Sequence, residues 1–339
     1  MTRILIIQLK RIGDLILTAP ALTALRAAMP DAELVMVTPA NVTELASCIP
    51  ALNRVIPYRA DSLNMEAWAS AIAGPWDACL DFTGSDRSAL LTTFSHARRR
   101  IGFAKFARNK LRRLAFTDLC AASVRDLHTL DFHLALVAAL TGKARQAGDP
   151  VPSLKIPGGT LAASRSKLIM HGVTGRYAII HPGSAKAEKF WMATRWAEVI
   201  SHVKKTLQLS VVLTGSADGL EKSHLLEMKE CLQTPVIDLT GKLSMVELAA
   251  LISECELMVG VDSMAMHLAA MFQRPQVAIY GPTNPFHWRP LHDRAAVVMG
   301  DAAAPVEHFN PRENKHEMKQ VSTGQVIDAI GRILPAATP

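Results

Sequence analysis

The sequence lacks the patterns that mark zinc proteins and proteins that bind divalent cations. Its 339 residues contain no Cys-x-x-Cys pair and no Asp-x-Asp, and no group of histidine, aspartate and glutamate has the spacing of metal ligands. Five cysteines are scattered along the chain: Cys48, Cys79, Cys120, Cys231 and Cys255. This usage predicts a reducing compartment, no structural zinc and chemistry that needs no metal.

Long apolar runs are also missing. No uncharged apolar stretch reaches the roughly 20 residues that a membrane-spanning helix needs. The apolar run from Ile4 to Leu9 is too short for the core of a signal peptide, and its main charges, Lys10 and Arg11, follow it instead of preceding it. We therefore expect a cytoplasmic protein whose association with a membrane, if any, is peripheral.

The composition that remains is that of a folded α/β protein, with 49% hydrophobic and 20% charged residues. The length exceeds what one core usually supports, which predicts two domains. Short apolar runs alternate with helical patterns in both halves, as in parallel sheets covered by helices on both faces. A Gly- and Pro-rich linker at 141–159 predicts domains at 1–158 and 159–339, facing each other across a cleft, with a closing helix that starts at Ser322 or Thr323.

Acidic residues are absent from one basic stretch, in a chain whose formal net charge is +7. Eight lysines and arginines lie between Arg98 and Arg113. Helical spacing would divide this stretch into an apolar side and a basic side, which suits an anionic membrane surface. The apolar side would comprise Phe103, Phe106, Ala107, Leu111 and Leu114, and the basic side Lys105, Arg108, Arg112 and Arg113. A solvated helix packed on the core is the alternative interpretation.

Two other classes of function are disfavoured by missing motifs. After the first predicted strand, "KRIGD" has one glycine instead of Gly-x-Gly-x-x-Gly, and "VMVTP" at the end of the second strand lacks the acid that holds a ribose. Both absences count against a nicotinamide-dependent oxidoreductase. A nucleic-acid-binding protein would suit the positive charge, but the sequence contains no recognition motif for one.

Asp14 follows the first strand at the point where a helix is expected to begin. Aspartate is a good N-cap, and the helix dipole favours its ionised form. A carboxylate held there is also suited to act as a general base toward a hydroxyl. Pro20 removes a backbone donor and is expected to kink or restart the helix, so that Asp14 would lie on a short separate turn.

Two strand ends in the second half offer groups suited to a nucleotide. The motif "HPGSAKAEKFW" provides Ser184 and then Lys189, and backbone amides with a lysine are a common phosphate site. In "LTGSADGLE", Asp218 is placed to accept ribose hydroxyls. A solvated loop and a helix cap are the respective alternatives.

The strongest local signal is "VGVDSMAMH", in which a strand is followed by Asp262 and Ser263 at a turn and by His267 one turn into a helix. Amides at such a helix start bind a diphosphate, and the carboxylate of Asp262 would face neutral hydroxyls beside it. His267 is suited either to this site or to a buried position in the core.

Three blocks in this order resemble glycosyltransferase family 9, the ADP-heptose:lipopolysaccharide heptosyltransferases. They are "RILIIQLKRIGDLILTAPALTALRAAMPDAEL", "LDFTGSDRSALLTTFSHARRRIGF" and "LTGKLSMVELAALISECELMVGVDSMAMHLAAMFQRPQVAIYGPTNP". The resemblance extends over nearly the whole chain. It implies the GT-B fold of two facing Rossmann-like domains, with acceptor binding in the first domain and nucleotide-sugar binding in the second.

The resemblance also implies roles for individual residues. Asp14 matches the catalytic aspartate of the family's Gly-Asp motif, a general base in an inverting transfer from an ADP-sugar donor with no separate cofactor. The implied donor-binding residues are Ser184, Lys189, Ser263 and Met264 for the diphosphate, Asp218 for the ribose, Leu243 for adenine, Asp262 for the sugar hydroxyls and His267 at the end of the motif.

Two further expectations follow from the resemblance. Met264 stands where most members have glycine, which resembles the branch of the third inner-core heptosyltransferase. Lys10, Arg11 and the basic stretch are placed to meet an anionic acceptor, Kdo–lipid A or a heptosylated core, on the inner leaflet of the inner membrane. Another nucleotide sugar as donor remains the alternative.

Overall fold

The computed structural model describes residues 1–144, 154–300 and 316–334. The chain divides into two compact units, Met1–Lys155 and a second unit that starts at Ile156. This division lies inside the predicted linker and three residues before the predicted boundary. Residues 145–153 of that linker, like the side chain of Arg108 in the basic stretch, lie outside the described residues.

The first unit alternates strands with helices around one parallel sheet. Its elements are β1 (Arg3–Ile7), α1 (Ile12–Ala28), β2 (Glu33–Pro39), α2 (Thr43–Ala46), β3 (Arg54–Tyr58), α3 (Met65–Ile72), β4 (Ala78–Asp81), α4 (Asp86–Phe94), β5 (Arg99–Phe103), α5 (Lys110–Arg113), β6 (Asp118–Cys120) and α6 (Thr129–Thr141). A 3-10 helix, Ala104–Arg108, follows β5. The six strands are ordered β3-β2-β1-β4-β5-β6.

The second unit repeats the same arrangement. Its elements are α7 (Gly158–Met170), β7 (Tyr177–His181), α8 (Ala193–Thr206), β8 (Ser210–Leu213), α9 (Gly219–Glu230), β9 (Ile237–Asp238), α10 (Met245–Glu254), β10 (Leu257–Val261), α11 (Met264–Met271), β11 (Gln276–Tyr280), β12 (Ala295–Met299) and α12 (Thr323–Ile333). The sheet order is β12-β11-β10-β7-β8-β9. The predicted α/β class with two Rossmann-like units is confirmed.

Both sheets reverse their strand order at one position. In the first sheet β1 pairs with β4, and in the second β7 pairs with β10. The inner strands are buried on both faces, as in parallel sheets covered by helices, which explains their nearly continuous apolar sequences. Loops leaving such a pair of strands diverge, so the carboxyl ends of β1 and β4, and of β7 and β10, are where ligands bind in this class of fold.

The first helix differs from the prediction in two ways. α1 begins at Ile12 and continues through Pro20, so Asp14 is its third residue and not its cap. Arg11 occupies the N-cap position without a side-chain hydrogen bond. Every residue from Leu15 to Leu22 is buried, and α1 packs against α6. This tertiary packing compensates for the hydrogen bond that Pro20 cannot make, which is why the helix is not divided there.

The prediction of a helix in the basic stretch is also wrong. Arg99–Phe103 is a strand between β4 and β6, and only short helical segments follow it. Phe103 and Phe106 are buried, whereas Leu111 and Leu114 are 78% and 73% exposed. The helical spacing gave a wrong prediction because the apolar residues lie on three consecutive elements, a strand, a 3-10 helix and a short α-helix.

Most arginines of this stretch are bound within the first unit. Arg99 pairs with Asp118, Arg100 donates to the carbonyl of Ala115, Arg112 pairs with Asp86 and Arg113 donates to the carbonyl of Phe116. The positive charge therefore stabilises strand ends and loops, and less of it is available for a partner than the composition indicates.

The closing helix begins where the sequence predicts. Ser322 is the N-cap of α12, and its hydroxyl accepts a hydrogen bond from the backbone nitrogen of Gln325 at 3.2 Å. None of the helices described is both long and apolar enough to cross a membrane.

Replacing Gly102 by alanine is expected to destabilise the first unit. An added Cβ would lie 2.4 Å from the ring of Phe116, which is 3% exposed and has little room to move. We expect a loss of about 1–3 kcal/mol in the free energy of unfolding, measured by urea denaturation. Gly159→Ala is the control, because no atom lies within 4 Å of its added Cβ. An equal effect of both substitutions would contradict this account.

Candidate active site

Asp14 lies in the first turn of α1, after the loop that follows β1. About 30% of its side chain is exposed, and the Nζ atom of Lys10 lies 3.8 Å from its Oδ1 atom. Burial raises the pKa of Asp14 above its usual value, and the positive charges of Lys10, Arg11 and Lys105 act in the opposite direction. The sequence predicted an ionised carboxylate favoured by the helix dipole and gave no sign of the effect of burial. A carboxylate of raised pKa is a stronger base once it is ionised.

The backbone of Asp14 is held by a buried polar group of three side chains. The hydroxyl of Thr18 donates to the Asp14 carbonyl at 2.7 Å and accepts from the side-chain amide of Gln8 at 2.7 Å. The Nδ1 atom of His133, on α6, lies 3.1 Å from the same hydroxyl. Burial lowers the pKa of His133 to about 3, so its ring is neutral at pH 7. These contacts fix the first turns of α1 against α6.

Asp81, at the end of β4, was given no role in the sequence analysis. Its buried carboxylate accepts hydrogen bonds from the backbone of Thr83 at 2.7 Å and Gly84 at 3.1 Å, and from the Ser88 hydroxyl at 2.8 Å. Burial raises its pKa to about 6. Thr83 in turn accepts from the backbone nitrogen of Leu9 at 2.7 Å. Asp81 therefore organises the loop beside Asp14, and the only sequence signal for it is an aspartate at a strand end before Thr-Gly-Ser.

In the second unit, the predicted site residues Lys189 and Asp262 form a buried salt bridge. Lys189 belongs to a 3-10 helix after β7, and Asp262 follows β10. The ammonium group donates to the Asp262 carboxylate and, at 3.2 Å, to its backbone carbonyl. The side chains are only 16% and 9% exposed. An ammonium group has three donors, so one remains for a ligand.

The start of α11 provides groups suited to phosphate oxygens. Ser263 occupies the N-cap position but makes no capping hydrogen bond, and its buried hydroxyl has no hydrogen-bond partner in the described protein. Met264 is the first residue of the helix. His267 is buried one turn later, and burial lowers its pKa to about 4 although the neighbouring Asp262 opposes this shift. A neutral imidazole beside the Lys189–Asp262 pair follows.

Ser184 is buried after β7, in a loop that the side chain of Glu221 approaches closely. A Cβ added to Gly183 would lie 2.3 Å from the Oε2 atom of Glu221, so the carboxylate of Glu221 would have to shift. The same carboxylate accepts from the backbone nitrogen of Ser216 at 2.7 Å. Glu221 thus links the loops after β7 and β8, a contact that the sequence analysis missed because only the fold brings these loops together.

Asp218 and Leu243 lie on the neighbouring loops after β8 and β9. Asp218 is exposed at the N-cap position of α9 without a capping hydrogen bond, so its carboxylate is not used by the helix. Leu243 is partly buried before α10. The two loops touch, because Gly241 donates to the carbonyl of Gly215 at 2.9 Å. No group of three His, Cys, Asp or Glu side chains among the described residues has a geometry that holds a metal ion.

Comparison with known proteins decides the family. The model of "Glycosyltransferase family 9 (heptosyltransferase)" matches residues 67–316, well over half of the chain. The chain belongs to this family. It is therefore a glycosyltransferase, as the resemblance of its sequence blocks indicated.

Relatives of this glycosyltransferase match nearly its whole length and share its fold. Lipopolysaccharide heptosyltransferase 3 of Escherichia coli is 24% identical over 341 residues, which cover 96% of this chain and 97% of that protein. A family 9 glycosyltransferase of Veillonella parvula superimposes with a TM-score of 0.87 at 24% identity, covering 98% and 97% of the two chains. An E. coli heptosyltransferase solved with ADP-2-deoxy-2-fluoro heptose superimposes with a TM-score of 0.72 at 22% identity. The match covers 98% of this chain and 99% of that chain. The fold is that of the GT-B heptosyltransferases.

Breaking the Lys189–Asp262 pair is expected to destabilise the second unit of the glycosyltransferase. Lys189→Met or Asp262→Asn leaves one buried group without its partner, which costs about 3 kcal/mol in unfolding free energy. The double variant is expected to lose much less than the sum of the single losses, as measured by urea denaturation. Additive losses would show that the two side chains do not interact in solution.

Proposed function

We propose that this glycosyltransferase moves heptose from ADP-heptose to the inner core of lipopolysaccharide, with inversion at the anomeric carbon and Asp14 as general base. The observation that carries the proposal is the environment of Asp14, a partly exposed carboxylate with a pKa raised by burial, at the carboxyl end of β1. The family match and the relatives' printed names support the donor and the acceptor. A different nucleotide sugar is the alternative donor.

In the proposed reaction, Asp14 takes the proton of an acceptor hydroxyl. The acceptor oxygen attacks the anomeric carbon of the donor while the bond from that carbon to the diphosphate oxygen breaks. The electron pair of that bond leaves with ADP, and the proton remains on Asp14. Lys10 and Arg11, which face or flank this carboxylate, attract an anionic acceptor.

We propose that some donor-binding groups of the second unit balance the charge of the diphosphate, while others form hydrogen bonds with the donor. Lys189 neutralises Asp262 and directs its remaining donor to the diphosphate, so that a carboxylate can lie beside phosphates without repelling them. The other oxygen of Asp262 accepts from sugar hydroxyls. The remaining proposed contacts are Ser184, Ser263, the Met264 amide and His267 around the diphosphate, Asp218 with Glu221 at the ribose, and Leu243 at the adenine.

Asp14→Asn is expected to lower turnover by a factor of about 10²–10⁴, because an amide cannot accept the proton. ADP release is measured with ADP-heptose and a series of stepwise truncated lipopolysaccharide cores, which also identifies the acceptor. A thermal-shift assay measures how much ADP stabilises each protein. This stabilisation is expected to persist in Asp14→Asn and to fall in Lys189→Met. NAD is expected to have no effect on the wild type.

The control for this experiment is Asp31→Asn, which removes an exposed carboxylate from the same unit. Full turnover by Asp14→Asn with every active acceptor would contradict the proposed base. Stabilisation by NAD and not by ADP would favour an oxidoreductase instead.

We further propose that the segment around α5 contacts the anionic inner face of the inner membrane. Leu111 and Leu114 are largely exposed, and Lys110 is exposed beside them. Exposed leucines next to cationic side chains match a surface that offers both acyl chains and negative headgroups.

The double variant Leu111→Ser/Leu114→Ser is expected to reduce binding to vesicles that contain anionic lipid severalfold, measured by co-sedimentation. Binding of the wild type is expected to fall with added salt and to be weak on neutral vesicles. Leu226→Ser, which changes an exposed leucine of α9, is the control. Equal vesicle binding by all variants, or a preference for a DNA duplex over vesicles, would contradict this proposal.

A further inference from the structure

Lys105 is enclosed by three phenylalanine rings of the first unit. Its Nζ atom lies 4.4 Å from the ring centroid of Phe132, 5.5 Å from that of Phe106 and 5.9 Å from that of Phe103. The rings also pack on one another, since Phe103 and Phe132 are stacked at 3.6 Å and Phe103 meets Phe106 edge-on at 5.4 Å. Contact with aromatic faces stabilises an ammonium group and restricts its position. We refer to these three residues as the phenylalanine cage.

The caged ammonium group has no carboxylate partner in a salt bridge among the described residues. Lys105 therefore differs from Lys189, whose charge is neutralised by Asp262. Burial is the largest cause that lowers the pKa of Lys105 to about 8, Lys10 lowers it further, and the carboxylate of Asp14 opposes the shift. At neutral pH the group is still mostly protonated, so its positive charge acts on its surroundings from a half-buried position.

The cage is connected to the turn of Asp14 through two consecutive residues of α6. Phe132 forms one wall of the cage, and His133 contacts the hydroxyl of Thr18, which bonds to the backbone of Asp14. One helix thus fixes both the ammonium group and the first turns of α1. These contacts restrict the position of the Lys105 charge, which acts on Asp14 alongside the larger effects of Lys10 and of the exposed Arg11.

We propose that Lys105 is a positioning residue for the general base, and that its caged charge, together with the charges of Lys10 and Arg11, keeps Asp14 ionised at neutral pH. The inference rests on the proposed function, in which Asp14 accepts the proton of the acceptor. It explains how a carboxylate that burial makes more basic remains unprotonated before each turnover.

Other charged and titratable groups also surround Asp14. Lys10 and Arg11 lie on the same loop and also favour the ionised form, and Asp81 interacts with Lys10. On α6, His133 is neutral at pH 7 and has His128 among its neighbours. Among these cations, Lys105 is the one that contacts the phenylalanine cage, so its substitution removes a charge held by aromatic rings.

The test is the pH profile of turnover by the wild type, Lys105→Met and Lys105→Arg. Loss of the positive charge raises the pKa of Asp14, so the acidic limb of the profile in Lys105→Met is expected to move to higher pH by about one unit. The profiles of Lys105→Met and the wild type are expected to converge above pH 8, where Asp14 is ionised in both. Lys105→Arg retains the charge, so the acidic limb of its pH profile is expected to lie at the same pH as in the wild type.

Lys143→Met is the matched control, because it removes an exposed lysine from the same unit. An unshifted limb in Lys105→Met, or an equal loss of turnover at every pH, would overturn the proposal, as would an equal shift in Lys143→Met. If Lys105→Met does not fold, Lys105→Gln provides the same comparison with a polar end group in the cage.

A second measurement does not require substrate and separates this inference from the proposed function. Thermal midpoints are compared for the wild type, Lys105→Met, Asp14→Asn and the double variant. At pH 6.5 the shifts of the single variants are expected not to add, and at pH 9.5, where Lys105 is neutral, they are expected to add. Additive shifts at both pH values would overturn the role of Lys105. Absence of heptose transfer by the wild type would instead count against the proposed function.

Discussion

The reversal of strand order in each sheet is the constraint on which both candidate sites depend. Because β1 pairs with β4 and β7 pairs with β10, the loops after these strands diverge and leave backbone and side chains accessible at the sheet edge. Asp14 follows β1, and Asp262 follows β10. Without this topology a crossing connection would cover the ends of these strands.

The two carboxylates differ in how their charge is balanced. Asp262 is in direct contact with Lys189, so its charge is neutralised inside the protein. The ammonium group of Lys10 lies 3.8 Å from Asp14, and the other cations act on it without an observed contact. A neutralised carboxylate is suited to hold hydroxyls, whereas a carboxylate that burial makes basic is suited to take a proton. The distinction follows from the distances and the burial of each group.

Local patterns predicted most of the fold. Apolar runs such as "RILII" and "YAIIH" became buried strands, and the serine at 322 caps the last helix, because these signals depend on neighbours in sequence. The helix assigned to the basic stretch was wrong because sheet pairing of Arg99–Phe103 outweighed the helical spacing. Pro20 does not break α1, because packing against α6 compensates for the hydrogen bond that proline cannot make.

The sequence singled out candidate residues for the site, but it could not reveal the contacts between them. The pairing of Lys189 with Asp262 joins residues that are 73 positions apart, and the phenylalanine cage combines neighbours in sequence with Phe132. Such contacts exist only after the sheet has formed, so spacing cannot reveal them. The raised pKa of Asp14 was missed for the same reason, since burial is a property of the folded chain.

Each unit is a continuous segment of chain with its own sheet and core, and the two sheets share one strand order. Such modularity gives evolution a simple route to new specificities. Because each of these core clusters lies within one segment, a substitution in one of them leaves the hydrophobic packing of the other in place. An ancestral duplication of a single half would account for the shared topology.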